Sequence, residues 1–311
     1  MVPRLPVCLT NLLETFEALT SSIDQGYGID VVYLDYRKAL DTIWNSGLVT
    51  KLMGYGVDGQ LLLWIKSFLQ GRKMRVEVRG YHSDWVQVTT GVPQGSLLGP
   101  LLCLLFINDI PEWIRSNVKM FTDDTKVWTT ISAMEDGQVL QEDLDNIMSW
   151  SDKWKVGFNP EKCKVMHIGH SFNIEYKMTV QGKDWKLAET KEETDLGILV
   201  TNSLKPSQQC IKEALKARFI LGRIRRQFGI LSKEEFKILY KTYVRSHMEF
   251  CIQARSLYLQ KDINCLERIQ QRATTMVHGL KDVSYEGRLE TIGLYSLQKR
   301  RLRVFKTLTD R

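Results

Sequence analysis

Three aspartates stand at the edges of apolar, β-branched stretches of this sequence. Asp35 follows the apolar residues 31–34, and Asp123 and Asp124 follow the run at 118–122. Such runs are typical of buried strands. Carboxylates delivered by neighbouring strands can hold two Mg²⁺ ions for phosphoryl transfer, because Mg²⁺ prefers oxygen ligands and leaves positions open for water and phosphate.

Each acidic site alone also has an ordinary structural explanation. An Asp-Asp pair such as the one before Thr125 is common in turns, since aspartate tolerates turn conformations and accepts hydrogen bonds from nearby N–H groups. Asp35 alone could end a strand or cap the helix that follows. The acidic residues by themselves leave these explanations open, and the segment between them decides how they are interpreted.

That intervening segment is rich in glycine. Residues 89–100 read Thr-Thr-Gly-Val-Pro-Gln-Gly-Ser-Leu-Leu-Gly-Pro, with Pro93 stiffening the turn between the first two glycines. Ser96 stands at the N-cap position of an apolar helix predicted from residue 97 to residue 107. A glycine-rich turn that enters a helix can approach a nucleotide and offer it N–H groups. A plain loop before a core helix fits the same composition.

With these segments in their order, the sequence resembles the reverse transcriptase domain of non-LTR (LINE-type) retrotransposons, the jockey and CR1-like group. The resemblance runs over essentially all 311 residues, and eight ordered segments make it far more specific than a lone motif. These segments are residues 32–41 (motif A), 91–100 (motif B), 106–110 (Phe-Ile-Asn-Asp-Ile), 121–126 (motif C), 158–164 (motif D), 195–198 (motif E), and 240–251 and 266–274 (thumb signatures).

The resemblance implies an α+β fold. A polymerase palm, made of an antiparallel sheet with packed helices, is expected at residues 31–200, and an all-helical, basic thumb with C-terminal helices at 201–311. Residues 1–30 are expected to form a residual fingers or entry segment. Only 34 residues precede Asp35, so the fingers are expected to be largely missing.

The implied function is that of an RNA-directed DNA polymerase using two-metal nucleotidyl transfer. Its expected partners are an RNA template, a DNA primer and dNTPs, and its expected cofactor is a pair of Mg²⁺ ions, with Mn²⁺ as an alternative. Activity of this chain by itself stays open. The alternative is a truncated, inactive remnant that binds nucleic acid through the basic thumb. Oligomeric state and template choice are not indicated.

The family's catalytic roles carry over to four residues with carboxylate or amine groups. Asp35 and Asp123 would ligate both metals, with the Tyr36 carbonyl adding an oxygen, and Asp124 would support the metal site. Asp35 and the Asp123-Asp124 turn should lie side by side at the tip of one antiparallel sheet. Lys162 would donate a proton to pyrophosphate, although a solvated lysine is the commoner case.

The resemblance also implies a nucleotide pocket. Gln94 and Gly95 would pack against the incoming nucleotide and the template base. Leu40 stands where the family has a phenylalanine that screens the nucleotide 2′-OH, so sugar discrimination is expected to be weaker. The other interpretation of Leu40 is a residue that simply faces the core.

Charge is unevenly distributed along the chain. Residues 201–311 hold 23 Lys and Arg against 10 Asp and Glu, a net of +13, whereas the first 200 residues hold 20 against 26, a net of −6. This imbalance predicts contact with nucleic acid through the C-terminal part. Arg223, Arg225 and Arg226 form its densest inner cluster, although a solvated helix face is the ordinary explanation of any single cluster.

Periodicity divides the chain in the same way. Strand-like runs at 74–78, 118–121 and 165–168 alternate with helical stretches near 59–69 and 134–155, whereas 211–228, 233–247 and 263–277 all have helical spacing. The six cysteines lack metal-ligand spacing, and no secretory signal or membrane-spanning segment is evident, which predicts an intracellular protein of the nucleus or cytoplasm. The five histidines suggest no zinc or general-base site.

Overall fold

The computed structural model describes residues 8–122, 124–254 and 259–309. The chain forms two compact units. The sheet unit is Ala18–Lys191, and the helical unit combines Met1–Glu17 with Glu192–Arg311. The division falls within the first helix, so that helix contributes residues to both units.

The sheet unit alternates helices with short strands. Its elements, starting with the helix shared by both units, are α1 (Cys8–Asp24), β1 (Gly28–Leu34), α2 (Ala39–Thr42), α3 (Asn45–Gly54), α4 (Gly59–Leu69), β2 (Lys73–Met74), β3 (Glu77–Val78), β4 (Tyr81–His82), β5 (Val86–Gln87), α5 (Leu98–Ile107), β6 (Asn117–Phe121), β7 (Asp124–Ile131), α6 (Gly137–Trp154), β8 (Lys164–Ile168), β9 (Lys177–Val180), β10 (Lys183–Lys186) and β11 (Ala188–Glu189).

Strand β1 is the centre of a five-stranded sheet with the order β11-β8-β1-β7-β6. It pairs antiparallel with β7, with Leu34 opposite Thr125, and antiparallel with β8, with Val32 opposite Val165. Strand β11 adds to β8 in parallel. Six of the seven β1 residues are buried, which explains the continuous apolar run, because a central strand covered on both faces has no solvent side.

Helices cover this sheet with an apolar core. Helix α6 contacts β7 and β9, while α3 contacts α4 and α5. Phe106 from α5 and Trp150 from α6 are fully buried in that core, with their ring centroids 6.5 Å apart. The aromatic pair at Trp150 and Trp154 therefore serves packing, as its four-residue spacing on a helix indicates.

Lys51 is a buried cation inside this aromatic region. Its Nζ lies 4.6 Å from the ring of Phe106, 4.8 Å from that of Trp150 and 4.1 Å from that of Trp154. It donates to the Asp109 carboxylate and to the Phe106 carbonyl oxygen. Burial lowers the pKa of Lys51, and the adjacent carboxylate opposes that shift. The pair ties α3 to the end of α5.

Asp30 is another buried charged residue of the sheet unit. It is 0% exposed on β1, and its carboxylate accepts hydrogen bonds from His167 Nδ1 at 2.5 Å, His170 Nε2 at 2.8 Å and Tyr176 Oη at 2.6 Å. His167 lies directly opposite Asp30 in the β1–β8 register. A buried carboxylate needs such partners, since an unpaired one is costly.

These contacts shift the pKa values of both members of the ion pair. Burial raises the pKa of Asp30, but the hydrogen bonds from His167 and Tyr176 outweigh it and hold that pKa below its ordinary value. The hydrogen bond to Asp30 raises the pKa of His167, with burial opposing. The pair is therefore ionised over a wider pH range in the folded chain than in the unfolded chain.

The helical unit follows residue 191 with one hairpin and then helices. Its elements are β12 (Glu192–Asp195), β13 (Ile198–Thr201), α7 (Ser207–Phe228), α8 (Lys233–Leu239), α9 (Ser246–Met248), α10 (Gln260–Thr274), α11 (Tyr285–Ile292) and α12 (Leu297–Thr309). A π-helical turn, Tyr240–Arg245, joins α8 to α9. The predicted helix at 233–247 is thus helical throughout but changes its hydrogen-bonding pattern in the middle.

Buried polar contacts join the helices of this unit. Tyr240 Oη donates to Gln270 Oε1, and Gln270 Nε2 donates to Tyr285 Oη at 2.8 Å and to the Tyr295 carbonyl at 3.0 Å. On α8, the Ser232 hydroxyl and the Glu235 carboxylate form a capping box. The apolar core around them is built from α7, α8, α10 and α11.

The run at 74–78 is two separate strands, because β2 pairs with β5 and β3 pairs with β4. All residues of these four strands are exposed, so nothing in the described residues buries an apolar face that would hold one longer strand. In the described part of the chain, no helix has both the length and the apolar character that a membrane crossing requires.

We predict that the stability of the chain depends on the Asp30–His167 pair. A histidine whose folded pKa is raised stabilises fully below its unfolded value, about 6.5, and this contribution is lost as pH rises through the folded pKa. The lowered pKa of Asp30 contributes above about pH 3.9 and is lost as pH falls through the folded value. Urea unfolding followed by circular dichroism should show stability falling as the pH rises from about 6.5, the unfolded value, through the raised folded pKa of His167.

Asp30→Asn should flatten that alkaline loss, and Asp152→Asn, a change on the exposed face of α6, should retain it. An equal slope in the Asp30 variant and the wild-type chain would show that other groups cause the pH dependence.

Candidate active site

The sheet places Asp35 immediately beyond the last residue of its central strand. Because Leu34 pairs with Thr125, Asp35 falls beside the start of β7, whose first residue is Asp124. Two of the three predicted acidic residues therefore come together at one end of two neighbouring antiparallel strands. Asp123 lies outside the described residues, so its predicted position beside Asp35 stays a prediction.

The backbone of Asp35 is fixed from both sides. Its N–H donates to Cys163 Sγ at 3.3 Å, and its carbonyl oxygen accepts from the Asn159 N–H at 2.8 Å. Burial raises the pKa of Cys163 to about 11, which keeps this sulfur a neutral thiol at neutral pH. The segment at 158–164 thus positions the aspartate without adding charge through Cys163.

The Asp35 carboxylate itself remains open to solvent. Its side chain is 42% exposed, and the Lys162 Nζ lies 3.8 Å from its Oδ2 with the lysine side chain 67% exposed. An ion pair this exposed contributes little to stability. The site therefore presents carboxylate oxygens, the ligands that hard cations such as Mg²⁺ prefer.

Tyr36 anchors the chain as it leaves β1. Its ring is buried against Phe158, with centroids 4.7 Å apart, and its hydroxyl lies 3.2 Å from Thr125 Oγ1. The side chain of Tyr36 thus belongs to the core. The predicted role for Tyr36 uses its carbonyl oxygen, which this packing holds next to Asp35.

The glycine-rich loop packs directly on the segment that follows Tyr36. The N–H groups of Gly91 and Val92 donate to the carbonyl oxygens of Ile43 and Leu40, each at 2.8 Å, and Gln94 Nε2 donates to Asp41 Oδ1 at 2.7 Å. The structure thus brings Gln94 and Leu40, both predicted nucleotide contacts, to one place. Leu40 is half-buried against the core.

The predicted helix start is close to the observed one. Helix α5 begins at Leu98, and the Ser96 hydroxyl accepts from the Gly99 N–H at 2.9 Å. Ser96 therefore bonds an otherwise unpaired N–H of the first turn, as an N-cap residue does. The loop before it is further held by Arg72, which donates to the carbonyl oxygens of Thr90 and Gly91.

Three supporting residues escaped the sequence analysis. Asp41 accepts a hydrogen bond from Gln94, Arg72 donates to the loop backbone, and the Asn159 N–H donates to the Asp35 carbonyl oxygen. Asp41 ends the motif A segment, so the motif itself carries a signal for it. Asn159 lies in the motif D segment and acts through its backbone N–H, whereas nothing in the local sequence marks Arg72.

A second group of possible metal ligands lies on β1, on β8 and just after β8. One ligand atom each from Asp30, His167 and His170 falls within 4.8 Å of the others. The Phe172 N–H donates to His170 Nδ1 at 3.1 Å, which leaves the proton of that ring on Nε2, where it is donated to Asp30. The observed contacts are thus those of a hydrogen-bonded network. Sequence spacing had indicated no histidine cluster, and the sheet register creates this one.

The predicted nucleic-acid-binding arginines lie on α7 of the helical unit. Arg223, Arg225 and Arg226 are all exposed, and the Arg223 guanidinium lies 5.8 Å from the ring centroid of Phe219. They therefore present charge to solvent.

Comparison with known proteins identifies the class. The profile of the reverse transcriptase (RNA-dependent DNA polymerase) family matches residues 13–239, and the chain belongs to this family. The resemblance to the jockey-like, non-LTR group is confirmed by relatives. Membership implies chemistry that depends on a divalent metal in general.

Two relatives and one solved structure illustrate the match. The RNA-directed DNA polymerase from mobile element jockey of Drosophila funebris is 27% identical over 259 residues, 79% of this chain and 28% of that protein. Its counterpart in Drosophila melanogaster is 36% identical over 157 residues, 47% of this chain and 17% of that protein. The apo telomerase of Candida tropicalis shares the fold, with a TM-score of 0.52 and 11% identity over 89% of this chain and 46% of that chain.

We predict that Gly91 is required for the packing of the loop on Leu40 and Asp41. Its φ is +75°, and a Cβ there would lie 2.6 Å from the Asp41 carbonyl oxygen and 2.7 Å from that of Leu40. Gly95 has a similar φ of +80°, but a Cβ there would meet no heavy atom within 4 Å. Gly95→Ala should cost about 1–2 kcal/mol for the left-handed backbone alone, and Gly91→Ala should cost distinctly more. Urea unfolding of both variants measures the difference, and equal costs would contradict the close approach.

Proposed function

We propose that this chain carries the nucleotidyl-transfer site of an RNA-directed DNA polymerase of a non-LTR retrotransposon. The observation that carries the proposal is the pairing of β1 with β7, which sets the solvent-exposed Asp35 carboxylate beside the strand that begins with Asp124. The chain spans 17–28% of the length of the two jockey relatives, so the activity of the whole protein is part of the proposal.

In this proposal the sheet unit is the palm and the helical unit is the thumb. Asp35, with Asp123, would bind two Mg²⁺ ions through carboxylate oxygens, and the Tyr36 carbonyl would add one more oxygen ligand. Asp124 would support the same site. When bound, the ions would supply charge stabilisation for the leaving pyrophosphate and lower the pKa of the primer hydroxyl.

The residues around the carboxylates have separate tasks. Lys162, held 3.8 Å from Asp35, would donate a proton to the pyrophosphate, and its solvent exposure leaves its side chain free to move toward that group. Gln94 and Gly95 would contact the incoming dNTP and the template base, with Gln94 positioned through Asp41. Arg223, Arg225 and Arg226 would bind the phosphates of the RNA template and DNA primer.

The alternative, a remnant that binds nucleic acid without polymerising, makes the opposite prediction for catalysis. It expects binding of an RNA–DNA hybrid but no extension under any metal condition. The matches to polymerases favour the first proposal, and no described contact favours the remnant.

We predict that primer extension on an RNA template depends on Asp35. The purified chain should extend a labelled DNA primer when dNTPs and Mg²⁺ are supplied, and Asp35→Asn should abolish extension, because it removes a ligand charge while keeping the side-chain shape. Asp152→Asn, the same chemical change on exposed α6, should extend like the wild-type chain.

Hybrid binding, measured by fluorescence anisotropy, should survive in both variants. Extension by Asp35→Asn would place the metal site elsewhere, whereas hybrid binding with no extension by the wild-type chain would support the remnant.

We further predict that Leu40→Phe sharpens the choice of dNTP over rNTP. A longer side chain at this position would restrict space near the sugar, and size-based pockets discriminate by roughly 10–200-fold. The measurement is the ratio of kcat/KM for the two nucleotides in both variants. If Leu40 instead only packs against the core, the larger ring should lower stability by about 1–3 kcal/mol through overpacking and leave the ratio unchanged.

A further inference from the structure

Residues 72–88 form a two-stranded hairpin, here called the arm, whose strands are exposed along their whole length. The Arg72 carbonyl oxygen accepts from the Val88 N–H at 2.9 Å, β2 pairs with β5, and β3 pairs with β4. Every residue from 73 to 87 is exposed. A two-stranded hairpin alone is at best marginally stable in water, so a further strand would stabilise the arm.

The arm has one apolar face and one polar face. Side chains alternate between the faces of a strand, and directly paired residues share a face. One face therefore carries five apolar side chains that are 56–83% exposed: Met74, Val76, Val78, Tyr81 and Val86. On the other face, the Arg75 guanidinium lies 4.8 Å from the centre of the Trp85 ring. Glu77 Oε2 lies there too, 3.3 Å from His82 Nδ1. Exposed apolar surface of this extent is typical of a protein–protein contact.

The two edges of the arm differ in regularity. The second strand contains one extra residue, a β-bulge at 84–85, between its pair with Met74 and its hydrogen bond to Val76. A bulge bends an edge and blunts it against further pairing. The stretch from β2 to β3 has no extra residue. Because the Val76 carbonyl oxygen bonds the second strand and bonded positions alternate along an antiparallel pair, the N–H and C=O groups of Arg75 and Glu77 point outward.

This outward edge is complementary to a second copy of itself. In an antiparallel pair centred on Val76, Arg75 of one copy lies opposite Glu77 of the other, and two-fold symmetry repeats the contact. The two residues would exchange N–H···O bonds, and opposite charges at directly facing positions stabilise a strand pair. On the apolar face, Met74 would lie opposite Val78. A pair centred on Arg75 or on Glu77 would instead set two like charges against each other.

We propose that two copies of this chain associate through their arms, with the stretch 74–78 of each copy joined as an antiparallel pair. Two two-stranded hairpins thereby become one four-stranded sheet, which removes the bare edge from both. The occupant of the edge is a second copy because the complement of Arg75 is Glu77 of the same sequence. The inference goes beyond the proposed chemistry and stands whether or not the chain extends a primer.

The first test changes one charge at a time, with sedimentation equilibrium of the whole chain as the measurement. Arg75→Glu and Glu77→Arg should each weaken self-association by about tenfold or more, because like charges directly opposite one another destabilise a strand pair and each change acts twice in a symmetric dimer. Lys191→Glu, the same change at an exposed position outside the arm, should associate as the wild-type chain does. Circular dichroism checks the fold of every variant.

The second test separates the strand register from net charge and from damage to the fold. An equimolar mixture of the Arg75→Glu and Glu77→Arg chains should associate like the wild-type chain, because each facing pair then consists of one Glu and one Arg. A double variant that carries both changes should associate with itself for the same reason. Neither recovery is expected if the single changes act by disrupting the hairpin.

Three results would overturn the proposal. They are a wild-type chain that stays monomeric throughout the micromolar range, self-association that both single variants retain, and a mixture that associates no better than either variant alone. Asp35→Asn should self-associate as the wild-type chain does, so failure of primer extension and failure of association are separate results.

Discussion

The double pairing of β1 with β7 and β8 is the constraint on which the candidate active site depends. The register of this strand is strongly specified, because a slip of one residue would turn every side chain to the opposite face and take the buried Asp30 carboxylate away from its three donors. The pair Leu34–Thr125 fixes where β1 ends, and with it the place of Asp35. Strand β8 adds the turn whose Asn159 and Cys163 hold the Asp35 backbone.

Two aspartates, Asp30 on this strand and Asp35 immediately after it, differ in environment. Asp30 is buried, and its carboxylate accepts hydrogen bonds from three donors. Asp35, five residues later, lies beyond the last pair and is 42% exposed, with one exposed ammonium at 3.8 Å. The first carboxylate is committed to holding β8 against β1. The second retains oxygen atoms for a cation or a ligand, because water already solvates it and no rigid partner has to be displaced.

Local patterns predicted much of this fold because the relevant signals are short. The helix at 59–69 is observed as Gly59–Leu69, and the apolar run at 97–107 as Leu98–Ile107. The apolar runs also predicted that the central strand ends just before Asp35 and that Asp124 lies at the edge of a strand. The Asp30 network could not be predicted in this way, since its partners are more than 130 residues away in sequence. The register of the sheet brings them together, and no local spacing records that register.

The roles within the candidate site required more than periodicity. Apolar runs and glycine spacing allow a plain loop at 89–100, and only the ordered motifs distinguished a nucleotide-binding loop from it. The structure explains why Gly91 occupies its position, since the loop lies on the backbone of Leu40 and Asp41. The same contact makes Gln94 reach Asp41. The close backbone approach thus requires glycine at position 91, and the same approach sets the position of the Gln94 side chain.

In the helical unit, too, several carboxylates bind partners within the unit. Glu213 and Asp262 are buried with hydrogen-bond partners, Glu235 closes a helix N-terminus, and Glu249 is bound to Arg300. Carboxylates occupied in this way do little to screen the exposed arginines of α7 and α10. The exposed arginines of α7 and α10 therefore carry part of the net charge of +13 over residues 201–311 at the surface of this unit. Because a polyanion responds to exposed charge and its released counterions, the distribution of these carboxylates matters as much as the number of arginines.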